Sequence, residues 1–300
     1  NGTLPIAAAT TGVEGLKAII PVAPNTSYYH YYRSNGLVRS PGGYLGEDID
    51  VLYEFIHSGD PEKRAFGNKT IRDDLMRAHM DRATGDYNEF WASRDYLNQM
   101  GPMKAALLMS HGFNDWNVMP EHSYRIYSKA REMGLPTQIY YHQGGHGGPP
   151  PISMMNRWFT RYLFEIENGV ENDPKAWIVR EGESRSEPTA YADFPNPTAE
   201  PVVLYLKKGG NDAGTLSTIK SSKKKESLVD NVNYTGEYLA RIKSSDHRLL
   251  YTSPTLKSDL HLSGITELSI RLASSKPAAN LSVWLVSLPW EDAENGEIYN

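Results

Sequence analysis

The stretch MKAALLMSHGFNDWNVMPEHSYRIYSKAREMGLPTQIYYHQGGHGG, residues 103–148, alternates short apolar runs with polar loops. The runs Ala105–Met109 and Gln138–Tyr141 have the length of buried strands, and each ends at a loop that contains glycine. Between them, a segment begins at Pro120 and ends at Gly134, the usual placement of proline and glycine around a helix. A strand, a helix and a strand in this order predict two parallel strands covered by a helix.

The same alternation continues on both sides of this stretch. Upstream, the run Leu16–Pro24 predicts another buried strand, and the small residues before it suit a helix that lies close to a sheet. Downstream, residues 151–169 predict a helix that ends at Gly169. Its apolar side chains fall on one face: Met155, Trp158, Phe159, Tyr162, Leu163 and Ile166. Residues 36–100 are charged and predict a mainly helical insertion or cap.

The pattern changes after about Asn172, where alternating β-type runs follow one another at short spacing. These runs are KAWIVREG, PVVLYLKKGG, YLARIKSSDHRLLYTSPTL, TELSIRLASS and NLSVWLVSLPW. Such spacing is typical of an all-β sandwich or jelly roll. We therefore expect an α/β domain over residues 1–170 and a β-sandwich or jelly-roll domain over residues 171–300, of which the chain need not hold the whole.

Composition excludes several classes of protein. The formal net charge of the 300 residues is -5, which argues against a nucleic-acid partner. No run approaches the roughly 18 apolar residues of a membrane span, so no membrane segment is predicted. The chain has no Cys, which excludes disulfides, thiolate catalysis and zinc held by Cys. The basic run 221–227 is interpreted as a solvated loop, and neither a cofactor motif nor a compartment signal is found.

Two loops carry the residues that could perform chemistry. Asp115 in SHGFNDWNV and His146 in YYHQGGHGG each follow the end of a predicted strand, where reactive groups of α/β sheets gather. Their order, acid before histidine, matches that of α/β-hydrolase triads, in which the serine comes first. His111 and His142 lie closer to strand interiors, which favours structural roles. A metal site formed by His111, His142 and His146 is an alternative that no helical ligand spacing supports.

The nucleophile of such a triad is missing from the chain. No G-x-S-x-G elbow occurs, and Ser110 lies at a predicted strand, where a structural role is expected. A helix of small residues that leads into the strand Leu16–Pro24 is what should follow the elbow. We therefore expect the elbow immediately before Asn1, with Gly2 as its last glycine, and expect the 300-residue chain alone to be inactive.

Three segments resemble a known family, the X-prolyl dipeptidyl aminopeptidases, which are serine peptidases related to cocaine-esterase-like hydrolases. NGTLPIAAATTGVEGLKAIIPVAPNTSYYHYYRSNGLVRSPGGYLGEDIDVL resembles the segment that follows the family's G-x-S-Y-x-G-T elbow, whose end Gly2 and Thr3 match. HGFNDWNV resembles its acid loop and HQGGHGG its histidine loop, which implies Asp115 and His146 as catalytic residues. The resemblance implies the C-terminal part of an α/β-hydrolase domain with a mainly helical insertion, followed by an all-β jelly-roll domain.

The resemblance also implies substrate-binding residues. Tyr28 and Tyr31 fall where the family lines its pocket for proline, although Tyr28 stands where a Trp is expected. The next wall is matched by Tyr44, Glu47 and Leu52, with Glu47 as the partner of the free α-amine. Asn117 matches a polar group that helps to hold this amine. Two alternatives remain on the sequence alone, since the tyrosines also suit ordinary packing and Glu47, Asp48 and Asp50 also suit a solvated acidic face.

The function implied is that of a serine exopeptidase that releases Xaa-Pro dipeptides through an acyl-enzyme. Its substrates would be peptides with proline second, and it would need no metal or cofactor; a homodimer is compatible with the family. A first alternative is a cocaine-esterase-like or acylase-like hydrolase with the same triad. A second is a non-catalytic binding module in the β domain, which an exposed row of aromatic residues would favour and burial of Trp177, Trp284 and Trp290 would not.

Overall fold

The computed structural model describes residues 2–34, 37–38, 48–56, 60–220, 225–277, 279 and 281–289. The chain divides into two compact units, one built mainly from residues up to Phe194 and one built mainly from Pro195–Leu268. No helix in the described ranges is both long enough and apolar enough to cross a membrane.

The helices are α1 (Thr3–Thr10), α2 (Tyr28–Tyr32), α3 (Ile49–Ile56), α4 (Pro61–Gly67), α5 (Glu89–Ala92), α6 (Glu121–Glu132), α7 (Ile152–Tyr162) and α8 (Gly236–Arg241). A π-helix spans Asn68–Arg77, and 3-10 helices span Tyr96–Gln99 and Val170–Asn172. The strands are β1 (Ala18–Ile19), β2 (Arg33–Ser34), β3 (Leu37–Val38), β4 (Ala106–Gly112), β5 (Thr137–His142), β6 (Ala176–Ile178), β7 (Thr189–Tyr191), β8 (Tyr205–Lys207), β9 (Gly214–Ser217) and β10 (Tyr251–Thr252).

The first unit contains a five-stranded mixed sheet in the order β1-β4-β5-β6-β7. The first four strands are parallel and β7 is antiparallel to β6. Strands β4 and β5 are buried along their whole length and pair up to Gly112 and His142, so both end at the same edge of the sheet. The predicted parallel sheet, with strands near residues 16–24, 105–109 and 138–141, is confirmed.

Helices cover both faces of this sheet because successive strand side chains point to opposite sides. Leu107 and Met109 pack in one core cluster with Ile6 of α1 and Ile126 of α6. Leu108 packs in another cluster with Trp158 of α7. Apolar side chains on both faces are typical of strands in a parallel sheet.

Helix α6 agrees with its prediction, but α7 is shorter than expected. It ends at Tyr162, because the backbone turns at Glu165, which has a φ of 57°. Leu163 and Ile166 therefore do not continue the buried face and are exposed. The KAWIVREG run also differs from its prediction, since β6 pairs with β5 and so extends the first unit's sheet. The two compact units divide near Phe194. The domain boundary at residues 170 and 171 stays a prediction.

The described part of the insertion is mainly helical and is anchored by buried ion pairs. Arg33 donates to Asp48 at 2.7 Å, with both side chains fully buried, and the Arg33 guanidinium lies 4.6 Å from the ring centroid of Trp91. Arg77 donates to the buried Asp50 at 2.7 Å. The alternative of a solvated acidic face therefore does not hold for Asp48 and Asp50, because each is buried against an arginine.

The second unit holds a three-stranded sheet in the order β10-β9-β8. Residues 238–241 of a predicted β run are helical instead, because the Thr235 hydroxyl accepts from the backbone N–H of Tyr238 and caps α8. Residues 266–275 and 281–289 form no strand. The all-β jelly roll stays a prediction.

Candidate active site

The site lies where β4 and β5 end side by side. The loops that follow these strands are joined by backbone hydrogen bonds, from Phe113 N–H to His142 O at 2.7 Å and from Asn114 N–H to Gly144 O at 3.3 Å. This approach requires glycine at position 112, because a Cβ there would collide with the carbonyl oxygens of Gly144 and Gly145. The glycines of the two predicted loops thus allow the loops to touch.

Asp115 is buried at the centre of this edge, and donors surround its carboxylate. Oδ1 accepts from the backbone N–H groups of Asn117 and Val118 at 3.0 and 2.9 Å. Oδ2 faces Nδ1 of His146 at 2.8 Å and Nε2 of His111 at 3.1 Å. Burial by itself would raise the pKa of Asp115, but the hydrogen bonds from His111 and His146 outweigh burial and hold this pKa below its usual range.

His146 is held by Asp115 through one of its ring nitrogens. Its side chain is 52% exposed, and Nδ1 faces the carboxylate, which leaves Nε2 without a hydrogen-bond partner among the described residues. The hydrogen bond to Asp115 raises the pKa of His146, and burial opposes this shift. An imidazole held through Nδ1, with an open Nε2, can take a proton from a nucleophile and return it to a leaving group.

The loop that carries His146 is held by two residues that were predicted to be structural. Nδ1 of His142 accepts from Gly144 N–H at 3.0 Å, so its Nε2 carries the proton and donates to Gly147 O at 2.8 Å. Ser110 donates to Gly148 O at 2.7 Å. Burial lowers the pKa of His142, which favours the neutral ring that this pattern of bonds requires.

The metal alternative does not fit this geometry. Ring nitrogens of His111 and His146 face Asp115, and both ring nitrogens of His142 bond to backbone. Among the described residues, no group of three or more His, Cys, Asp or Glu side chains could hold a metal ion.

An aromatic cluster adjoins the acid loop. Tyr31, Trp91 and Val118 are buried in it, and Tyr28 and Leu52 pack against it. Tyr31 also donates from its hydroxyl to Oδ1 of Asn117 at 3.1 Å. Three of the six predicted binding residues, Tyr28, Tyr31 and Leu52, therefore belong to one cluster, and Asn117 is joined to it by the Tyr31 hydroxyl. Tyr44 and Glu47 lie outside the described residues.

Helix α1 begins at the same edge of the sheet. Gly2 packs against the segment that follows β1. A Cβ at residue 2 would come within 2.5 Å of Pro24 N and would also collide with Val22 O. Val22 in turn bridges to Ser110 near the end of β4. The start of α1 therefore lies at the sheet edge that also carries Asp115.

Burial of three tryptophans would argue against the binding-module alternative. Trp177 is half-buried in β6 of the first unit, where its indole donates to Gln138 Oε1. Trp284 is 39% exposed. Trp290 lies outside the described residues.

Sequence reasoning missed the contacts of His111. Its Nδ1 lies 2.6 Å from the hydroxyl of Ser123 on α6, and its Nε2 faces Asp115. No sequence signal links Ser123 to the acid loop, because the contact depends on how α6 packs against β4.

The mixed sheet, with an Asp–His pair at the carboxyl edge of its parallel strands, defines an α/β-hydrolase fold. A sequence profile described as X-Pro dipeptidyl-peptidase (S15 family) matches residues 1–148, and one for the C-terminal non-catalytic domain of X-Pro dipeptidyl-peptidases matches residues 168–297. The chain belongs to the S15 family of X-Pro dipeptidyl-peptidases.

Individual relatives agree with this family. A Rhodopirellula baltica protein assigned as a Xaa-Pro dipeptidyl-peptidase is 61% identical over 300 residues, which are 99% of this chain and 48% of that protein. The Xaa-Pro dipeptidyl-peptidase of Lacticaseibacillus rhamnosus is 33% identical over 314 residues, covering 95% of this chain and 38% of the relative. The chain thus spans half or less of the length of these relatives.

Solved structures show the same fold. A CocE/NonD family hydrolase from Staphylococcus aureus has a TM-score of 0.52 and 20% identity, with 73% of this chain and 36% of the other covered. An α-amino acid ester hydrolase has a TM-score of 0.50 and 15% identity, with 76% and 43% covered. At such low identity these similarities bear on the fold alone.

Proposed function

We propose that this chain carries the acid and the base of a serine exopeptidase that removes Xaa-Pro dipeptides from the N-terminus of peptides. The observation that carries the proposal is the 2.8 Å contact between Asp115 Oδ2 and His146 Nδ1, which leaves Nε2 of His146 open at the carboxyl edge of the sheet. The membership in the S15 family supports the dipeptidyl specificity. The nucleophile is proposed to be a serine in sequence that precedes Asn1.

In this mechanism, His146 Nε2 takes the proton of the serine hydroxyl as the serine oxygen attacks the carbonyl carbon of the proline residue. Asp115 stabilises the imidazolium that forms. The oxyanion would be held by the backbone N–H after the serine and by a donor further upstream. His146 then gives its proton to the leaving amine, and the same steps with water release the dipeptide from the acyl-enzyme.

The aromatic cluster beside the acid loop supports the choice of substrate. Flat rings such as those of Tyr28 and Tyr31 suit the proline ring, and Leu52 adds an apolar side chain to this wall. A free α-ammonium group entering a partly dry pocket needs acceptors. Asn117 is positioned to offer one, and Glu47 is proposed as the carboxylate partner.

The main alternative is a cocaine-esterase-like or acylase-like hydrolase. It would use the same Asp115–His146 pair but would have no need to bind a free amine. Recognition of that amine therefore separates the two functions.

The test compares kcat/KM for an Ala-Pro-anilide and for its N-acetylated twin. Both substrates are assayed with the wild-type full-length enzyme and with Glu47→Gln. We expect acetylation and the substitution each to lower kcat/KM by roughly 10²-fold or more, about 2.7 kcal/mol of transition-state stabilisation. Equal rates on both substrates, with simple esters hydrolysed faster, would overturn the peptidase in favour of the esterase.

We propose in addition that the C-terminal domain is a jelly roll, supported by the alternating runs after Asn172 and by the antiparallel pairing of β8 with β9. A crystal structure of the full-length enzyme tests this. Two packed antiparallel sheets are expected, and a single small sheet would contradict it.

A further inference from the structure

A second Ser–His–Asp chain lies behind the candidate active site. The hydroxyl of Ser123 is 2.6 Å from His111 Nδ1, and His111 Nε2 is 3.1 Å from Asp115 Oδ2. Asp115 Oδ2 is therefore shared by two imidazoles, one on each side, because it also faces His146 Nδ1. The chain of contacts runs from α6 through β4 to the acid loop and ends at His146.

This second chain is not a catalytic triad. Ser123 and His111 are both 0% exposed, so no substrate can reach the hydroxyl. The ring is also reversed, because a catalytic histidine binds the acid through Nδ1 and the serine through Nε2. In His111 the acid is bound through Nε2 and the serine through Nδ1.

The contacts fix the positions of the protons on His111. Its Nε2 faces two acceptors, Asp115 Oδ2 and the backbone oxygen of Val118 at 2.8 Å, so Nε2 carries a hydrogen. Nδ1 is then the acceptor for Ser123, whose hydroxyl has no other acceptor among the described residues. Ser123 thus selects the tautomer of His111 that can donate to the triad acid.

We propose that His111, with its tautomer set by Ser123, is a positioning residue that holds the carboxylate of Asp115 toward His146 and shares its Oδ2. The inference rests on the proposed function, in which Asp115 and His146 act together. With the backbone N–H groups of Asn117 and Val118 on Oδ1, the His111 donor leaves the carboxylate no freedom to rotate. Two histidines would then contact one acid: His146 exchanges protons with substrate, and His111 holds the carboxylate in place.

Sharing Oδ2 also has an electrostatic consequence. A donor from His111 draws negative charge from the oxygen that stabilises the imidazolium form of His146. Without this donor, Oδ2 would bind His146 more strongly, so the pKa of His146 would rise. Two further titratable groups lie at the His146 loop: His142, whose ring nitrogens both bond to backbone, and Arg185, whose guanidinium lies beside Gly144 and Gly148.

The test uses His111→Leu, which removes the donor, and His111→Gln, whose side-chain amide can still donate near the position of Nε2. For His111→Leu we expect kcat on Ala-Pro-anilide to fall at least tenfold with KM within about threefold. The NMR-measured pKa of His146, assigned with His146→Ala in ¹⁵N-histidine-labelled protein, should rise. His111→Gln should restore most of kcat.

Two variants on α6, each lacking one hydroxyl, control for loss of stability. Ser123→Ala removes the hydroxyl that sets the tautomer, whereas Tyr127→Phe removes a hydroxyl that bonds Asp193, away from Asp115. We expect Ser123→Ala to lower kcat severalfold and Tyr127→Phe to leave it unchanged at a comparable Tm.

Two outcomes would overturn the proposal: an unchanged or lowered His146 pKa in His111→Leu, or equal losses of kcat in Ser123→Ala and Tyr127→Phe. The NMR result does not depend on the substrate. If the wild-type enzyme fails to cleave Ala-Pro-anilide while the His146 pKa still rises in His111→Leu, the dipeptidyl-peptidase function fails and the positioning role stands.

Discussion

Asp115 Oδ2 and His146 Nδ1 lie 2.8 Å apart although 31 positions separate the two residues in sequence. Parallel pairing of β4 with β5 accounts for this contact, because it ends both strands at one edge and places the following loops side by side. The backbone bond from Phe113 N–H to His142 O then sets the distance between the loops. The pair is thus a product of sheet register as much as of the two side chains.

The first prediction concerns the acid itself. In Asp115→Asn, the amide cannot stabilise an imidazolium, so kcat should fall by roughly 10³–10⁴-fold. The hydrogen bond that raises the pKa of His146 is also lost. His146 would then stay neutral to lower pH, and the acidic limb of the kcat/KM profile should move to lower pH. An acidic limb that stays in place would show that Asp115 does not bind the base.

A second prediction concerns the approach of the two loops. In Gly112→Ala, the new Cβ would press on the carbonyl oxygens of Gly144 and Gly145, so we expect a loss of roughly 1–3 kcal/mol in the free energy of unfolding and a lower kcat. Gly101→Ala is the matched control, since a Cβ there meets no atom within 4 Å. Urea denaturation and steady-state kinetics of both variants measure the difference, and equal behaviour would contradict the close approach.

The third prediction tests the contact between Tyr31 and Asn117. Tyr31→Phe removes the hydroxyl that donates to Asn117 Oδ1, at a cost of about 1 kcal/mol. We expect kcat/KM to fall roughly fivefold for the free-amine substrate and to stay unchanged for its N-acetylated twin. Tyr29→Phe on the same helix removes a hydroxyl that donates to Gly85 O instead, and should affect neither substrate. Equal losses of kcat/KM on both substrates in Tyr31→Phe would show that Asn117 does not bind the amine.

A fourth prediction concerns the insertion. Arg33→Met removes the nearer of the two arginines at the buried Asp48 carboxylate and leaves Arg82 4.0 Å away, so the free energy of unfolding should fall by about 3–5 kcal/mol. Lys63→Met breaks an exposed pair with Asp60 and should leave stability unchanged. Tryptophan fluorescence during urea denaturation reports both variants because Trp91 lies against Arg33. A small effect of Arg33→Met would argue that water reaches Asp48.

Short apolar runs that end at glycine made β4, β5 and the loops that carry Asp115 and His146 predictable, since length and chain order alone define parallel strands with loops at one edge. The KAWIVREG run was predicted to belong to the C-terminal β domain, but its strand β6 pairs with β5. Alternation of apolar and polar residues does not indicate which strand is the partner. The end of α7 was missed because it depends on the backbone turn at Glu165. The role of His111 could not be predicted, because Ser123 reaches it only through the packing of α6.

The most direct test of the central claim is kcat/KM for Ala-Pro-anilide in the full-length enzyme and its His146→Ala variant, with folding checked by circular dichroism. Removing the base should lower kcat/KM by at least about 10³-fold, with the fold unchanged. A His146→Ala enzyme that stays within tenfold of wild type would place the general base elsewhere and would remove the Asp115–His146 pair from the chemistry.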